Sequence, residues 1–166
     1  PILNWSAYEE VVSKKTTPLL LAPIEGPLLM SGLEEYLPSV RRVVRAMGHA
    51  YQISNDIQNA VGGDDGEVAF KDLKRRAPNA VLVCFRNLLI NGHQAAFDEW
   101  MSSQGQDDFY YWKREVNNSS ALEICTNRLK DIINNCQREC DRLPSYLKAS
   151  LEPLLHFLDK QNSPHW

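Results

Sequence analysis

Apolar residues recur at intervals of three and four along this chain, and that spacing constrains its fold more than any other feature. The clearest case runs from Ser120 to about Arg142, with apolar positions at Leu122, Cys125, Leu129, Ile132, Ile133 and Cys136. Residues three and four apart share one face of an α-helix, whereas a half-buried strand alternates at every second residue. Because no alternating segment is found, the sequence predicts an all-α chain.

Caps, prolines and glycines indicate where the helices begin and end. Ser6 and Glu9 form a capping box for a helix through Thr16, and Ser120 with Glu123 forms a second box. The segment after Thr16 contains three prolines, which predict a kinked helix ended by Gly32. We expect further helices over residues 38–60, 80–90, 94–101, 120–142 and 145–160, a loop over 62–66, a cap at Asn79, and a cap at Asp107 or Asp108.

Length and charge limit the classes of protein that this chain can represent. With 166 residues, 43% of them hydrophobic, the chain is long enough for one domain over residues 1–166. A net charge of −3 argues against a nucleic-acid-binding surface, and no apolar run reaches the length of a membrane span. The four cysteines show no CxxC spacing, so we expect reduced thiols and a cytoplasmic protein.

Four polar side chains project from one side of the predicted helix 38–60. They are Gln52, Asn55, Asp56 and Asn59, on consecutive turns. Oxygen-bearing side chains are the ligands that Mg²⁺ prefers, particularly where the ion also carries a substrate phosphate. The alternative is an ordinary solvated helix face.

A second group of candidate residues lies near the N-terminus. Lys15 offers a positive charge for a phosphate group, and the Thr16 hydroxyl can donate a hydrogen bond beside it. Tyr8 precedes them, and Asp72 follows the glycine-rich loop as a further carboxylate. For Lys15 and Thr16 the alternative is a solvated helix end.

Taken together, these motifs resemble the C-terminal half of trans-isoprenyl diphosphate synthases, the polyprenyl synthetase family. The resemblance rests on the order and spacing of Tyr8…Lys15-Thr16, Met47-Gly48…Tyr51-Gln52, the segment Asn55–Asn59, and Asp72. It implies a helical bundle of the isoprenoid synthase type, of which this chain would be the C-terminal half.

The resemblance also implies chemistry and residue roles. An allylic diphosphate would be condensed with isopentenyl diphosphate in the presence of Mg²⁺. Lys15, Thr16 and Gln52 would bind the diphosphate. The family's second aspartate-rich motif, DDxxD, falls on Asn55–Asn59, so Asn55, Asp56 and Asn59 would be the metal ligands. Asp56 would also be catalytic, together with Lys15, Thr16 and Gln52.

The chain departs from the family pattern at several positions. Asn55 and Asn59 replace two of the three motif aspartates, and Glu67 and Ala77 stand where the family has lysines. Fewer carboxylates should weaken Mg²⁺ binding, because their charge offsets dehydration of the ion. The first aspartate-rich motif of the family lies upstream of Pro1, so we expect a second chain that carries it, or a homo-oligomer.

The sequence therefore leaves three functions open. The first is a prenyltransferase-type enzyme unit that works with a separate N-terminal half or partner subunit. The second is a catalytically degenerate small subunit that regulates an active synthase. The third is a class I terpene cyclase. The metal motif of that class has Ser or Thr where this chain has Asn59, and an acid where it has Gly63. An apolar face on the helices between Ala22 and Ala60 would need partners in any of these functions.

Overall fold

The computed structural model describes residues 3–61, 70–103 and 108–162, and helices make up most of these residues. In chain order they are α1 (Trp5–Lys15), α2 (Thr17–Met30), α3 (Leu37–Val61), α4 (Lys71–Arg75), α5 (Ala80–Leu88), α6 (Asn91–Ser102), α7 (Phe109–Asn118), α8 (Ala121–Cys140) and α9 (Ser145–Asn162). A 3₁₀-helix (Glu34–Tyr36) precedes α3. No strand occurs in the described residues, which confirms the all-α prediction. The predicted loop at 62–66, Glu67 and Asp107 lie outside them.

Side-chain capping differs from the prediction at α1. The Asn4 Oδ1 accepts a hydrogen bond from the Ala7 amide at 2.8 Å, and α1 begins at Trp5. The capping box assigned to Ser6 is therefore wrong. Asp108 stands directly before α7, but its side chain makes no capping hydrogen bond. The prediction allowed Asp107 or Asp108, and because Asp107 lies outside the described residues, it stays a prediction. The cap at Asn79 is confirmed, because its Oδ1 accepts from the Val81 amide at 2.8 Å.

The proline-containing segment forms the helix α2, as predicted, and Gly32 follows its end. Gly32 has a φ of 68°, a backbone conformation that costs glycine little. This turn allows the Leu33 amide to donate to the Leu28 carbonyl at 3.0 Å, which is the 6→1 hydrogen bond of a Schellman motif. Gly32 therefore ends α2 with a turn in which the next amide pairs a carbonyl that the helix itself leaves without a partner.

The chain divides into two compact units. The first unit consists of Pro1–Glu10 and Asn55–Arg128, and the second of Val11–Ser54 and Leu129–Trp166. α1, α3 and α8 each supply residues to both units. The assignment of residues 1–166 to one domain stays a prediction.

Aromatic side chains form much of the core of the first unit. The Phe97 ring centroid lies 5.1 Å from that of Phe85 and 5.0 Å from that of Trp112, and all three side chains are buried. Aromatic rings at such distances add stabilisation beyond their buried area. Of the aromatic run that begins α7, Trp112 belongs to this core, whereas Tyr110 is 83% exposed.

The second unit has an aliphatic core. The buried side chains of α3 include Val40, Val43, Val44 and Met47. α8 and α9 contribute Leu129, Leu151, Leu155 and Leu158. Tyr51 of α3 is only half-buried.

Two apolar positions of the first unit are only partly buried or exposed. Ile57 is half-buried, and Leu122 is exposed. Leu122 lies in the first turn of α8, where helical spacing places it beside Cys125, yet only Cys125 is buried. The apolar spacing of a helix does not decide how far along its length a neighbour packs.

The four cysteines are free and buried. Burial, with the nearby Cys140, raises the pKa of the Cys136 thiol to about 12, and burial raises the pKa of the Cys140 thiol to about 11. Both side chains therefore remain neutral thiols near neutral pH and serve packing, as expected.

Some apolar side chains of α2 face solvent. Leu19 is 76% exposed and Met30 is 91% exposed, whereas only Thr17 and Leu28 of this helix are buried. An exposed apolar helix agrees with the expected need for a partner, and the oligomer itself stays a prediction. Within the described ranges, no helix combines the length and the apolar character that crossing a membrane requires.

Candidate functional site

Two of the candidate diphosphate-binding residues contact each other in the second unit. Lys15 is the last residue of α1 and is exposed, and Thr16 joins α1 to α2 and is buried. The Thr16 Oγ1 donates a hydrogen bond to the Gln52 Oε1 of α3 at 3.4 Å. We call Lys15, Thr16 and Gln52 the Lys15 group.

A close approach between α2 and α3 supports this contact. A Cβ atom at Gly48 would lie 3.2 Å from the Thr17 Oγ1, tighter than most real contacts. Gly48 thus allows α2 to lie against α3 beside Thr16, one turn before Gln52. The sequence contained this signal in the Met47-Gly48 pair, although its reason is visible only in the packed helices.

Asp56 lies in the first unit, and its carboxylate is bound to two other segments of the chain. Its side chain is only 3% exposed. The Asp56 Oδ2 accepts a hydrogen bond from the Tyr8 hydroxyl at 2.7 Å and another from the Ala80 amide at 2.8 Å. Ala80 is the first residue of α5, where unpaired amides and the helix dipole favour a negative charge. This carboxylate therefore links α1, α3 and α5.

Amide and carboxyl side chains continue the network around Asp56. The Asn79 Nδ2 donates to the Asp72 Oδ2 at 2.9 Å and to the Asp56 backbone carbonyl at 3.3 Å. The Asn59 Oδ1 accepts from the Asp72 amide at 3.1 Å. We call Tyr8, Asp56, Asn59, Asp72 and Asn79 the Asp56 cluster.

The electrostatics of the cluster keep Tyr8 protonated. Burial, and then the charge of Asp56 and its hydrogen bond, raise the pKa of the Tyr8 hydroxyl far above its usual value. The hydroxyl is therefore a permanent donor to Asp56 at any ordinary pH.

Sequence reasoning singled out four members of the Asp56 cluster and missed how they connect. Asn79 was recognised only as a helix cap, through its Oδ1. The same side chain also uses its Nδ2 to bridge Asp72 and Asp56, as described above. No sequence signal indicates that second role, because it depends on where α3 and α4 lie in the fold.

The predicted Mg²⁺ ligands do not form an open carboxylate site in this arrangement. The Asp56 Oδ2 already accepts two hydrogen bonds, and the Asn59 Oδ1 accepts one. Asn55 is half-buried and carries no charge. Among the described residues, no group of three or more His, Cys, Asp or Glu side chains could hold a metal ion. One carboxylate that already accepts two hydrogen bonds and two uncharged amides fit Mg²⁺ poorly. The ligand role of these three residues stays a prediction.

Comparison with known families gives one match. Residues 2–109, about two thirds of the chain, match the family described as polyprenyl synthetase. No curated protein matches the chain. The matched range includes every residue of the Lys15 group and of the Asp56 cluster.

Proposed function

Because the chain belongs to the polyprenyl synthetase family, we propose that it is a prenyltransferase-type unit that condenses an allylic diphosphate with isopentenyl diphosphate. The family supports prenyl transfer in isoprenoid biosynthesis, and the all-α architecture agrees with an isoprenoid synthase fold. In the proposed assembly a separate chain supplies the first aspartate-rich motif.

The Lys15 group is the observation that carries this proposal. Lys15 presents an exposed ammonium group at the end of α1, and Thr16 directly follows it in the chain. At 3.4 Å, the bond from Thr16 to Gln52 is long, so the hydroxyl can exchange it for a shorter bond to a phosphate oxygen. An ammonium and a hydroxyl on consecutive residues supply a charge and a hydrogen-bond donor for a diphosphate.

In the proposed reaction, the carbon–oxygen bond of the allylic diphosphate breaks and the diphosphate leaves with the electron pair. The double bond of isopentenyl diphosphate then attacks the allylic cation, and a proton is lost. Lys15 would neutralise charge that develops on the leaving diphosphate, while Thr16 and Gln52 would orient it. The family is generally Mg²⁺-dependent. Because the Asp56 cluster fits Mg²⁺ poorly, we assign the acidic metal ligands to a second chain.

Turnover of the assembled enzyme tests the proposal. The chain is purified with its partner from the native source and assayed with allylic and isopentenyl diphosphates and Mg²⁺. We expect Lys15→Ala and Gln52→Ala to lower turnover by roughly 100-fold, the usual effect of removing one stabilising group. Lys130→Ala, an exposed lysine of α8, is the charge-matched control. Unchanged turnover in both site variants would contradict the proposal.

A second candidate function is a non-catalytic subunit that regulates an active synthase. The hydrogen bonds of Asp56 favour it, because the single acid left in the DDxxD segment is used to link three helices. A partner that makes the same product at the same rate without this chain would support the subunit. A partner that is inactive alone and active in the complex would support the enzyme unit.

A further inference from the structure

A groove of about 330 Å³ lies between α3 and α8 in the second unit. Its lining residues are Arg42, Val43, Ala46, Asn135, Cys136, Arg138, Glu139 and Arg142. A volume of this size is within the range of small-molecule sites. None of these residues belongs to the Lys15 group or to the Asp56 cluster.

The floor of the groove is apolar. The Val43 and Cys136 side chains are buried, and Ala46 is half-buried. A hydrocarbon chain laid against this floor would be removed from water, which is favourable in proportion to the buried apolar area.

The rim of the groove is basic. Three arginines, Arg42, Arg138 and Arg142, line the groove together with one acidic residue, Glu139. In a chain with a net charge of −3, this excess of positive charge is local. Such a rim attracts anions, and guanidinium groups bind phosphate oxygens with two parallel hydrogen bonds.

The present partners of the rim arginines are replaceable. The Arg142 Nη1 lies 2.6 Å from the Glu139 Oε1, and the Arg138 Nη2 donates to the Asn135 Oδ1 at 2.5 Å. Both arginines are exposed, and exposed pairs of this kind contribute little free energy. Arg42 has no ion-pair partner among the residues that the structure describes. All three guanidinium groups can therefore turn toward a bound anion.

From the apolar floor and the basic rim, we propose that this groove binds a phosphate ester that carries a short apolar chain. The phosphate would lie among the three arginines and the chain along Val43, Ala46 and Cys136. The inference does not rest on the proposed function, because the groove and its charges are independent of the Lys15 group.

Calorimetric titration of the full chain, at about 50 mM salt to limit screening, tests this proposal. The probes are octyl phosphate, below its micelle concentration, and inorganic phosphate. We expect saturable one-to-one binding of octyl phosphate, at least about tenfold tighter than that of inorganic phosphate because the apolar floor binds the chain. Equal affinity for the two probes would contradict the role of the floor.

Variants of the rim should change the affinity for octyl phosphate in two opposite directions. Arg42→Gln, Arg138→Gln and Arg142→Gln should each weaken octyl phosphate binding about tenfold, because each removes a charge-assisted contact. Glu139→Gln should strengthen it several-fold, since it removes the one negative charge of the rim. Arg114→Gln, which removes a similarly exposed arginine on α7 in the first unit, is the control and should change nothing.

The remaining outcomes are equally decisive. An effect of Arg114→Gln as large as those of the rim variants would show non-specific charge attraction, and absence of saturable binding would overturn the proposal outright. The phosphate group could be free or displayed on a bilayer, so sedimentation with phosphatidic acid vesicles is measured in parallel. Rim-dependent binding to vesicles as well as to octyl phosphate would assign the same site to a membrane lipid, and binding to octyl phosphate alone to a free phosphate ester.

Discussion

The Asp56 cluster and the Lys15 group contain the polar residues that the family resemblance selects, yet they are built differently. Asp56 is 3% exposed, and its carboxylate accepts short hydrogen bonds from Tyr8 and Ala80. Lys15 is exposed, and the bond between Thr16 and Gln52 is 3.4 Å long. Residues that share a motif with a catalytic family can therefore serve the fold in one cluster and remain available to a ligand in another.

The difference has an energetic basis. A buried carboxylate must be compensated by hydrogen bonds or opposite charge, and breaking that compensation costs several kcal/mol. An exposed lysine exchanges water for a ligand at little cost to the fold. Substitutions in the Asp56 cluster should thus lower stability, whereas substitution of Lys15 in the Lys15 group should weaken ligand binding with little effect on stability.

The largest expected effect is that of Asp56→Ala on stability. The variant leaves the Tyr8 hydroxyl and the Ala80 amide buried without their acceptor, and each such loss costs about 1–3 kcal/mol. We expect the free energy of unfolding in urea to fall by about 3 kcal/mol or more. Asn55→Ala, at the preceding and half-buried position, is the matched control and should stay within about 0.5 kcal/mol. A loss below about 1 kcal/mol for Asp56→Ala would mean that the carboxylate is not a structural link.

The next effect is the alkaline sensitivity caused by Tyr8. Its pKa is raised in the folded chain, so its contribution to stability is complete below the pKa of about 10 in the unfolded chain and is lost above it. Between pH 9 and pH 11, Tyr8 should lower the free energy of unfolding by about 1.4 kcal/mol.

Tyr8→Phe isolates that effect. At pH 7 the variant should be less stable by about 1 kcal/mol, because Asp56 loses one donor. The pH dependence between 9 and 11 should become shallower, while the contributions of the buried cysteines remain. Urea unfolding of both proteins at several pH values gives the comparison, and identical slopes would show that Tyr8 is not the titrating group.

The smallest expected effect on stability is that of Lys15→Ala. Because the side chain is exposed, the free energy of unfolding should change by no more than about 0.5 kcal/mol. Binding of inorganic pyrophosphate should nevertheless weaken about tenfold, since the variant removes a charge-assisted contact. Calorimetry on the folded variant measures this, with Lys130→Ala as the control. Unchanged pyrophosphate binding would contradict a ligand-binding role for the Lys15 group, and with it the functional contrast to the Asp56 cluster.

Local physics made most of the helical architecture predictable from the sequence. Helical hydrogen bonds join residues four apart, so spacing and caps suffice to place α3, α5, α8 and α9 within a few residues. Asn79 and Gly32 were identified as boundary residues for the same reason. The error at Ser6 arose because several neighbouring polar residues can cap one helix, and backbone geometry selects among them.

The candidate residues were also found from the sequence, through the spacing of Tyr8, Lys15-Thr16, Gln52 and the segment 55–59. What each residue does could not be found in this way. Asp56 occupies the same helix as Gln52 and is polar in the same pattern, so sequence alone predicts the same solvated or metal-binding face for both.

By itself, the sequence determined that this chain is all-α, where most of its helices begin and end, and which family it belongs to. Only the tertiary structure decided that Asp56 is buried, because its partners come from Tyr8, 48 residues earlier, and Ala80, 24 residues later. It also decided which face of α8 meets α3 in the arginine-lined groove. The physical reason is that helix formation depends on neighbours in sequence, whereas burial and hydrogen bonding depend on which distant segments the folded chain brings together.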